Sequence, residues 1–214
     1  MTAALALTST LVSTPLDPSR ADQRVVLRGM SWQAYEALLA WRGDRSGIRM
    51  TYLEGDLELM APAHEHESQK TRLARLLEVW ALETDTPLEG AGSWTVRDPS
   101  VERGAEPDEC YAIGSFEGKT APDIAIEVVW TSGGLDKLEV WRKLGAREVW
   151  FWSHGELSFH VLRGRRYVRA PRSALLPKLD PALITRCMGA ASQTAAVKEL
   201  RQALQATPKR RRRA

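Results

Sequence analysis

The chain has 214 residues, 43% hydrophobic and 27% charged, a soluble globular composition that excludes fibrous, disordered and multi-span membrane classes. Its formal net charge of +3 hides an asymmetry, because residues 1–162 carry 16 Lys and Arg against 25 Asp and Glu, while residues 163–214 carry 14 against 2. An acidic body with a basic C-terminal part is expected, and the basic part is a candidate footprint for a polyanion.

Residues 1–24 are rich in Ala, Thr, Ser and Pro and lack the positive n-region of a signal peptide, so they read as a disordered leader. Residues 25–188 read as the folded domain, and residues 189–214 as a weak helix with a basic tail. Ser31 is placed to cap a short helix, Trp32–Trp41, which Gly43 and Gly47 end. A hairpin follows, Ile48–Leu53 and Leu57–Met60, turning at Glu54-Gly55-Asp56, where glycine supplies the positive φ of a tight turn. From Glu67 to Leu82, Leu73, Leu76, Leu77 and Trp80 recur at three- and four-residue steps and form one apolar helical stripe. Strands are expected at Gly92–Arg97, Ala105–Ile113 and Pro122–Trp130. An amphipathic helix, Leu135–Leu144, stops at Gly145 before an aromatic strand, Glu148–Trp152. Leu157–Leu162 and Arg165–Arg169 make a second hairpin, and Val197, Leu200 and Leu204 mark the weak last helix. No segment reaches the roughly 18 uninterrupted apolar residues of a membrane span. Cys110 and Cys187 have no CxxC spacing, which fits a reduced, cytoplasmic setting and excludes a disulfide framework.

The chemistry concentrates in Pro122–Trp130. Period-two alternation puts Ile124, Ile126, Val128 and Trp130 on one face and Asp123, Ala125, Glu127 and Val129 on the other. Glu127 therefore falls inside a core strand. An isolated carboxylate there costs several kcal/mol, so it must be paired, protonated or bound to a cation. Asp108, in the preceding strand, can face it across a hairpin with Cβ atoms about 5 Å apart. Such a pair suits a hard divalent cation, whose other positions go to water and phosphate. Asp123 lies about 13 Å from Glu127 along an extended strand, too far to share an ion, and reads as a loop-end or supporting acid. Lys137 shares a helix face with Trp141 and Leu144. Its ammonium can orient a metal-bound water or stabilise charge on phosphate, although a plain ion pair with Glu127 fits the same spacing.

Two further clusters invite a functional reading. His64-Glu65-His66-Glu67 is not an HExxH zinc motif, because position 68 is Ser, and such a His-x-His at a helix start is more often an exposed polar cap. Arg163, Arg165, Arg166 and Arg169 are candidate sequence-independent nucleic-acid contacts; a solvated hairpin face is the plainer reading. Trp80, Trp141, Trp150 and Trp152 sit on apolar faces and read as core.

The order of elements resembles the PD-(D/E)XK nuclease core and, more closely, the restriction endonuclease family called Uma-two. The pieces that carry the resemblance are Tyr52–Met60 with Pro62 and His66, Glu106-Pro107-Asp108, Pro122–Val128, Asp136–Trp141 and Leu144–Trp152, in one order across residues 30–185. It implies an α/β, restriction-endonuclease-like fold, with a mixed central sheet flanked by helices, an N-terminal helix and hairpin, and a C-terminal hairpin. It also implies an Mg²⁺ or Mn²⁺ site with Asp108 and Glu127 as ligands and the Val128 backbone carbonyl completing the shell. The superfamily lysine two residues after the strand glutamate is Val129 here, and Lys137 matches the lysine that has moved to the next helix. A Glu common before the hairpin glycine is Thr51 here, which leaves open whether Glu58 or some other acid fills that role; Glu58, His66 and Asp123 stand as supporting candidates. The implied function is metal-dependent endonucleolytic hydrolysis of nucleic acid, DNA in the first place, with a homodimer as an allowed assembly. A catalytically silent nuclease-fold module that binds nucleic acid or protein is the alternative.

Overall fold

The computed structural model describes residues 21–45, 47–130 and 134–206; most of the expected leader and the basic run Lys209–Arg213 lie outside the described residues. Two sheets and five helices are present among them. The first sheet has the order β1 (Gln23–Leu27), β3 (Asp56–Ala61), β2 (Arg49–Leu53), β6 (Arg103–Ala105), β5 (Val96–Asp98). α1 (Trp32–Arg42) packs on it, capped by Ser31, whose hydroxyl accepts from the Ala34 N–H at 3.2 Å. Trp32, Tyr35 and Leu39 there meet Met50, Tyr52 and Leu57.

The second sheet has the order β11 (Arg166–Ala170), β10 (Glu156–Arg163), β9 (Glu148–Ser153), β8 (Ile124–Val129), β7 (Glu109–Ile113), β4 (Leu88–Gly90). β8 and β9 run parallel and the other neighbours antiparallel, so the sheet is mixed as expected. A parallel pair needs a crossover, and α3 (Lys137–Leu144) provides it. The alternation along β8 sorts its two faces. Ile124, Ile126 and Val128 enter a core with Leu73, Leu76, Leu77 and Trp80 of α2 (His64–Glu83). Ala125 enters a second core with Val140, Trp141 and Leu144 of α3. Glu127 shares that second face.

Several expectations need correction. Ala105–Ile113 is not one strand. Pro107 has no N–H to give a ladder, and the chain leaves the first sheet at Ala105 and joins the second at Glu109. Glu106-Pro107-Asp108 is thus the passage between the sheets. β1 begins at Gln23, inside the stretch assigned to the leader, and pairs with β3 over its whole length. The last helix is not outside the domain: α5 (Gln193–Ala206) buries Ala196 and Leu200 in the α2 core, beside α4 (Pro181–Met188), an element not anticipated. Asp180 caps α4 ahead of Pro181 at its first turn. β8 ends at Val129, and Trp130 is 38% exposed. No helix among the described residues is long and apolar enough to cross a membrane.

Candidate active site

The passage between the sheets delivers Asp108 to the flank of β8. The β7–β8 register pairs Cys110 with Ala125 and Glu109 with Ile126; one further step sets Asp108 beside Glu127. Two bonds fix the approach. The Asp108 N–H donates to the Ile126 carbonyl at 3.1 Å, and Asp108 Oδ2 accepts from the Val128 N–H. Val128 thus joins the site through its N–H. Both carboxylates are buried.

Glu127 Oε1 accepts from Trp141 Nε1 at 2.7 Å, while Oε2 lies 3.5 Å from Lys137 Nζ. Burial pushes the Glu127 carboxyl above the usual range; Lys137 pulls against this, and the neighbouring charge of Asp108 adds to it. Lys137 opens α3, whose cap Asp136 accepts from the Glu139 N–H at 3.1 Å. Its ammonium donates to Thr51 Oγ1 at 2.7 Å and lies 3.8 Å from Glu58 Oε1. Thr51 and Glu58 are direct cross-strand partners on β2 and β3, so both side chains point to the same face. Glu58 Oε2 also accepts from the Leu135 N–H at 2.9 Å, and Arg24 Nε approaches it to 3.4 Å. Gly134, at φ 98, lies so close that a Cβ would stand 2.2 Å from that oxygen. Glycine is therefore required there on two counts, and Glu58 anchors the backbone that presents Lys137.

Asp108 Oδ1 is held by Arg49 Nη1 and, at 2.9 Å, by His66 Nε2. His66 Nδ1 donates to Asp22 Oδ2 at 3.1 Å, and Asp22 Oδ1 accepts from the Ala63 N–H at 2.9 Å. Burial alone would lower the imidazole pKa, but hydrogen bonds to Asp108 and Asp22 outweigh it and raise it to about 9. His66 is thus an imidazolium at neutral pH, donating from both nitrogens. Burial likewise opposes ionisation of Asp108, yet His66 and Arg49 hold its carboxyl below the usual range. Arg49 Nη2 reaches Glu67 Oε1 at 2.5 Å, and Lys70 contacts the other Glu67 oxygen at 3.0 Å. A cleft of about 540 Å³ opens beside this network, lined among others by Arg42, Arg45, Arg49, Glu67 and Lys70.

Of the residues expected from sequence, Asp108, Glu127, Val128, Lys137, Glu58 and His66 are brought together. His66 is fully buried and not an exposed cap, because α2 starts at His64, three residues before the expected helix start at Glu67. Asp123 is elsewhere. It accepts from the Ile113 N–H at 2.8 Å and pairs with Lys119 and Arg147 at the far end of β8. The arginines of the C-terminal hairpin are also remote. Arg163 pairs with Arg166, Val161 with Glu148, and Glu148 with Ile124, so the turn lies beyond the N-terminal end of β8, away from Glu127. Sequence reasoning missed Asp22 and Arg49 and took Trp141 as core only. The one local signal for them was an acid and an arginine at the starts of short strands, a pattern that exposed residues share.

Among the described residues, no group of three or more His, Cys, Asp and Glu side chains is arranged to hold a metal ion. The donor chemistry nevertheless fits a hard divalent cation. One or two carboxylates is the number Mg²⁺ commonly takes from a protein, and the burial and the Asp108 charge that push the Glu127 carboxyl upward are what a cation between the two acids would relieve.

The profile of one family, Uma2, described as "Putative restriction endonuclease", matches residues 32–187. Among solved structures, the chain is similar to that of "a putative nuclease belonging to DUF820" from Anabaena variabilis, at 12% identity and a TM-score of 0.47, covering 75% of this chain and 96% of that one. No curated protein matches.

Proposed function

The chain belongs to the Uma2 family and has its restriction-endonuclease-like α/β fold; from that membership and the buried acid pair we propose that it hydrolyses nucleic-acid phosphodiesters, DNA in the first place, with Mg²⁺ or Mn²⁺ held by Asp108 and Glu127. Asp108, Glu127 and Lys137 all lie inside the matched residues.

The observation that carries the reading is the poor satisfaction of Glu127. On the neighbouring strand, the equally buried Glu148 accepts from Trp150 Nε1, Ser173 Oγ and the N–H groups of Ala174 and Leu175, at 2.7–2.9 Å. Its lone pairs are taken up by fixed donors. Glu127 has the Trp141 indole and a lysine at 3.5 Å. A core carboxylate left this open costs stability, and such local violations of good packing are characteristic of functional sites.

The bound cation would supply a Lewis acid for the phosphoryl oxygen and a water of lowered pKa. The chain's own residues do the rest. His66 and Arg49 keep Asp108 ionised at neutral pH. Trp141 fixes one oxygen of Glu127 and leaves the other on the Lys137 side. Lys137, oriented by Thr51 and Glu58, donates to the attacking water or to a non-bridging oxygen as negative charge develops. A second reading, a silent module on the same fold, draws on the fact that Asp108 Oδ1 already has two cationic partners.

The test is cleavage of supercoiled plasmid, single-stranded DNA and RNA in Mg²⁺ or Mn²⁺, with EDTA as the blank, by the wild type and by Asp108→Asn, Glu127→Gln and Lys137→Met. Loss of about 100-fold or more in each variant is expected. Equal cleavage by all four proteins overturns the assignment, and binding without cleavage by the wild type selects the silent module.

A further inference from the structure

Resting on the nuclease reading above, a further role can be assigned at the edge of the acid pair. Asp108 and Glu127 already have two cationic neighbours, Arg49 and Lys137, and a third partner in the His66 ring bonded to Asp108. A divalent cation added to that set meets strong repulsion unless one of the three withdraws. His66 cannot withdraw easily: it is fully buried and bonded on both sides, to Asp108 and Asp22. Lys137 is tied to Thr51 at 2.7 Å. Arg49 is different. One arm of its guanidinium faces Asp108, while the other points outward to Glu67, whose side chain is 37% exposed and shared with Lys70.

Arg49 is also the group common to the acid pair and the adjoining cleft of about 540 Å³. Of the other cations there, Arg42 is committed to Glu106 through two bonds of 2.5 Å, and Arg45 lies over the Trp41 ring, 5.4 Å from its centroid. Asp44, Glu67 and Glu106 line the cleft as well, Glu67 pairing with both Arg49 and Lys70, and against them Arg45, Arg49 and Lys70 supply the planar fork and point charges that phosphate oxyanions select. We propose that this cleft is the phosphodiester subsite, and that Arg49 exchanges Asp108 for a phosphate oxygen when substrate enters. The exchange removes one of the two partners of Asp108 Oδ1 and leaves His66 on it, which lowers the repulsion a divalent cation meets there, so that the cation and the substrate bind with positive coupling. Linkage makes this reciprocal: each ligand must tighten the other by the same factor.

The experiment measures Mn²⁺ binding by the loss of the free-ion electron paramagnetic resonance signal, with and without a phosphorothioate-linked dinucleotide, which keeps the charge and resists hydrolysis. In the wild type the dinucleotide should raise Mn²⁺ affinity by about tenfold or more. Arg49→Met should bind Mn²⁺ at the raised affinity without the dinucleotide, and Asp108→Asn should bind it in neither condition. Binding of the dinucleotide in EDTA should weaken about tenfold in Lys70→Ala and Arg45→Ala, which leave Asp108 untouched and keep the idea testable if Arg49→Met does not fold. Wild-type Mn²⁺ binding that depends on Asp108 but ignores the dinucleotide overturns the Arg49 exchange alone. Absence of Mn²⁺ binding in every protein, with or without dinucleotide, overturns the nuclease reading and this inference with it.

Discussion

Glu127→Gln and Glu148→Gln are the same chemical change at two buried positions on adjacent strands, and they should move stability in opposite directions. At Glu127 the amide keeps the oxygen that accepts from Trp141 and removes a charge that burial disfavours. Lys137 keeps Thr51 and Glu58 as partners. Removing a poorly compensated buried charge is worth on the order of 2 kcal/mol. At about 2–4 °C per kcal/mol for a chain of this size, Tm should rise by about 4–8 °C. At Glu148 the new NH₂ group must face two of the four donors that now point at the carboxylate. Two unsatisfied buried donors cost about 1–3 kcal/mol each, and Tm should fall by at least about 4 °C. The pH dependence gives an internal check on the gain. A carboxyl whose folded pKa is raised burdens the fold only above the ordinary value, so the advantage of Glu127→Gln should be absent below pH 4.5 and larger at neutral pH. The assay is thermal unfolding of metal-free protein at neutral pH and below pH 4.5, with plasmid cleavage alongside. If Glu127→Gln loses as much stability as Glu148→Gln, Glu127 is a structural acid and the argument from its poor satisfaction fails.

Other outcomes follow from the same structure. His66 has its pKa raised from 6.5 to about 9, so its stabilisation of the metal-free protein is fully present below pH 6.5 and lost as pH rises through about 9. That loss amounts to about 3 kcal/mol; the urea midpoint in EDTA should fall between those values for the wild type and stay flat for His66→Gln. Asp123→Asn should leave cleavage within about twofold while lowering stability by about 1–2 kcal/mol, because its partners are Ile113, Lys119 and Arg147 and not the acid pair; a cleavage defect without a stability change would contradict this placement. Leu200→Ala should cost about 2–4 kcal/mol by urea denaturation, since Leu200 of α5 is fully buried in the α2 core. A negligible cost would mean that α5 stands apart from the domain after all.

The legible parts of the fold are those whose burial is written as a period. α1, α2, α3, β8 and β9 each present an apolar face to a core, and the stripe or alternation announces both the element and its orientation. Boundaries drifted where the buried side of an element is polar or absent. α2 begins at His64, three residues before its expected start at Glu67, and its first turn turns His66 inward to two carboxylates. β1 was hidden for the opposite reason: it is an edge strand with Val25 and Val26 exposed, and edge pairing leaves no alternation to read. The break at Pro107 carried a usable signal that the apolar run on either side obscured. A proline in mid-run argues against a continuous ladder strand, and here it marks the change of sheet.

The candidate site divides along the same line. Asp108 and Glu127 are readable as a pair because strand register is a local property, and a short loop between two strands limits how they can meet. Arg49, His66 and Asp22 come from three separate segments: Arg49 and His66 reach Asp108 across 59 and 42 residues of chain, and Asp22 reaches His66 across 44. Nothing in a strand-initial arginine tells a buried guanidinium from a solvated one. Position Thr51 shows how a site can keep its chemistry while its residues move. Thr51 and Glu58 stand directly opposite each other on β2 and β3, so a carboxylate carried by either strand projects from the same face to the same ammonium. Lys137 touches both. A carboxylate thus faces Lys137 from position 58, on the strand opposite Thr51, and that is visible only once the register is known.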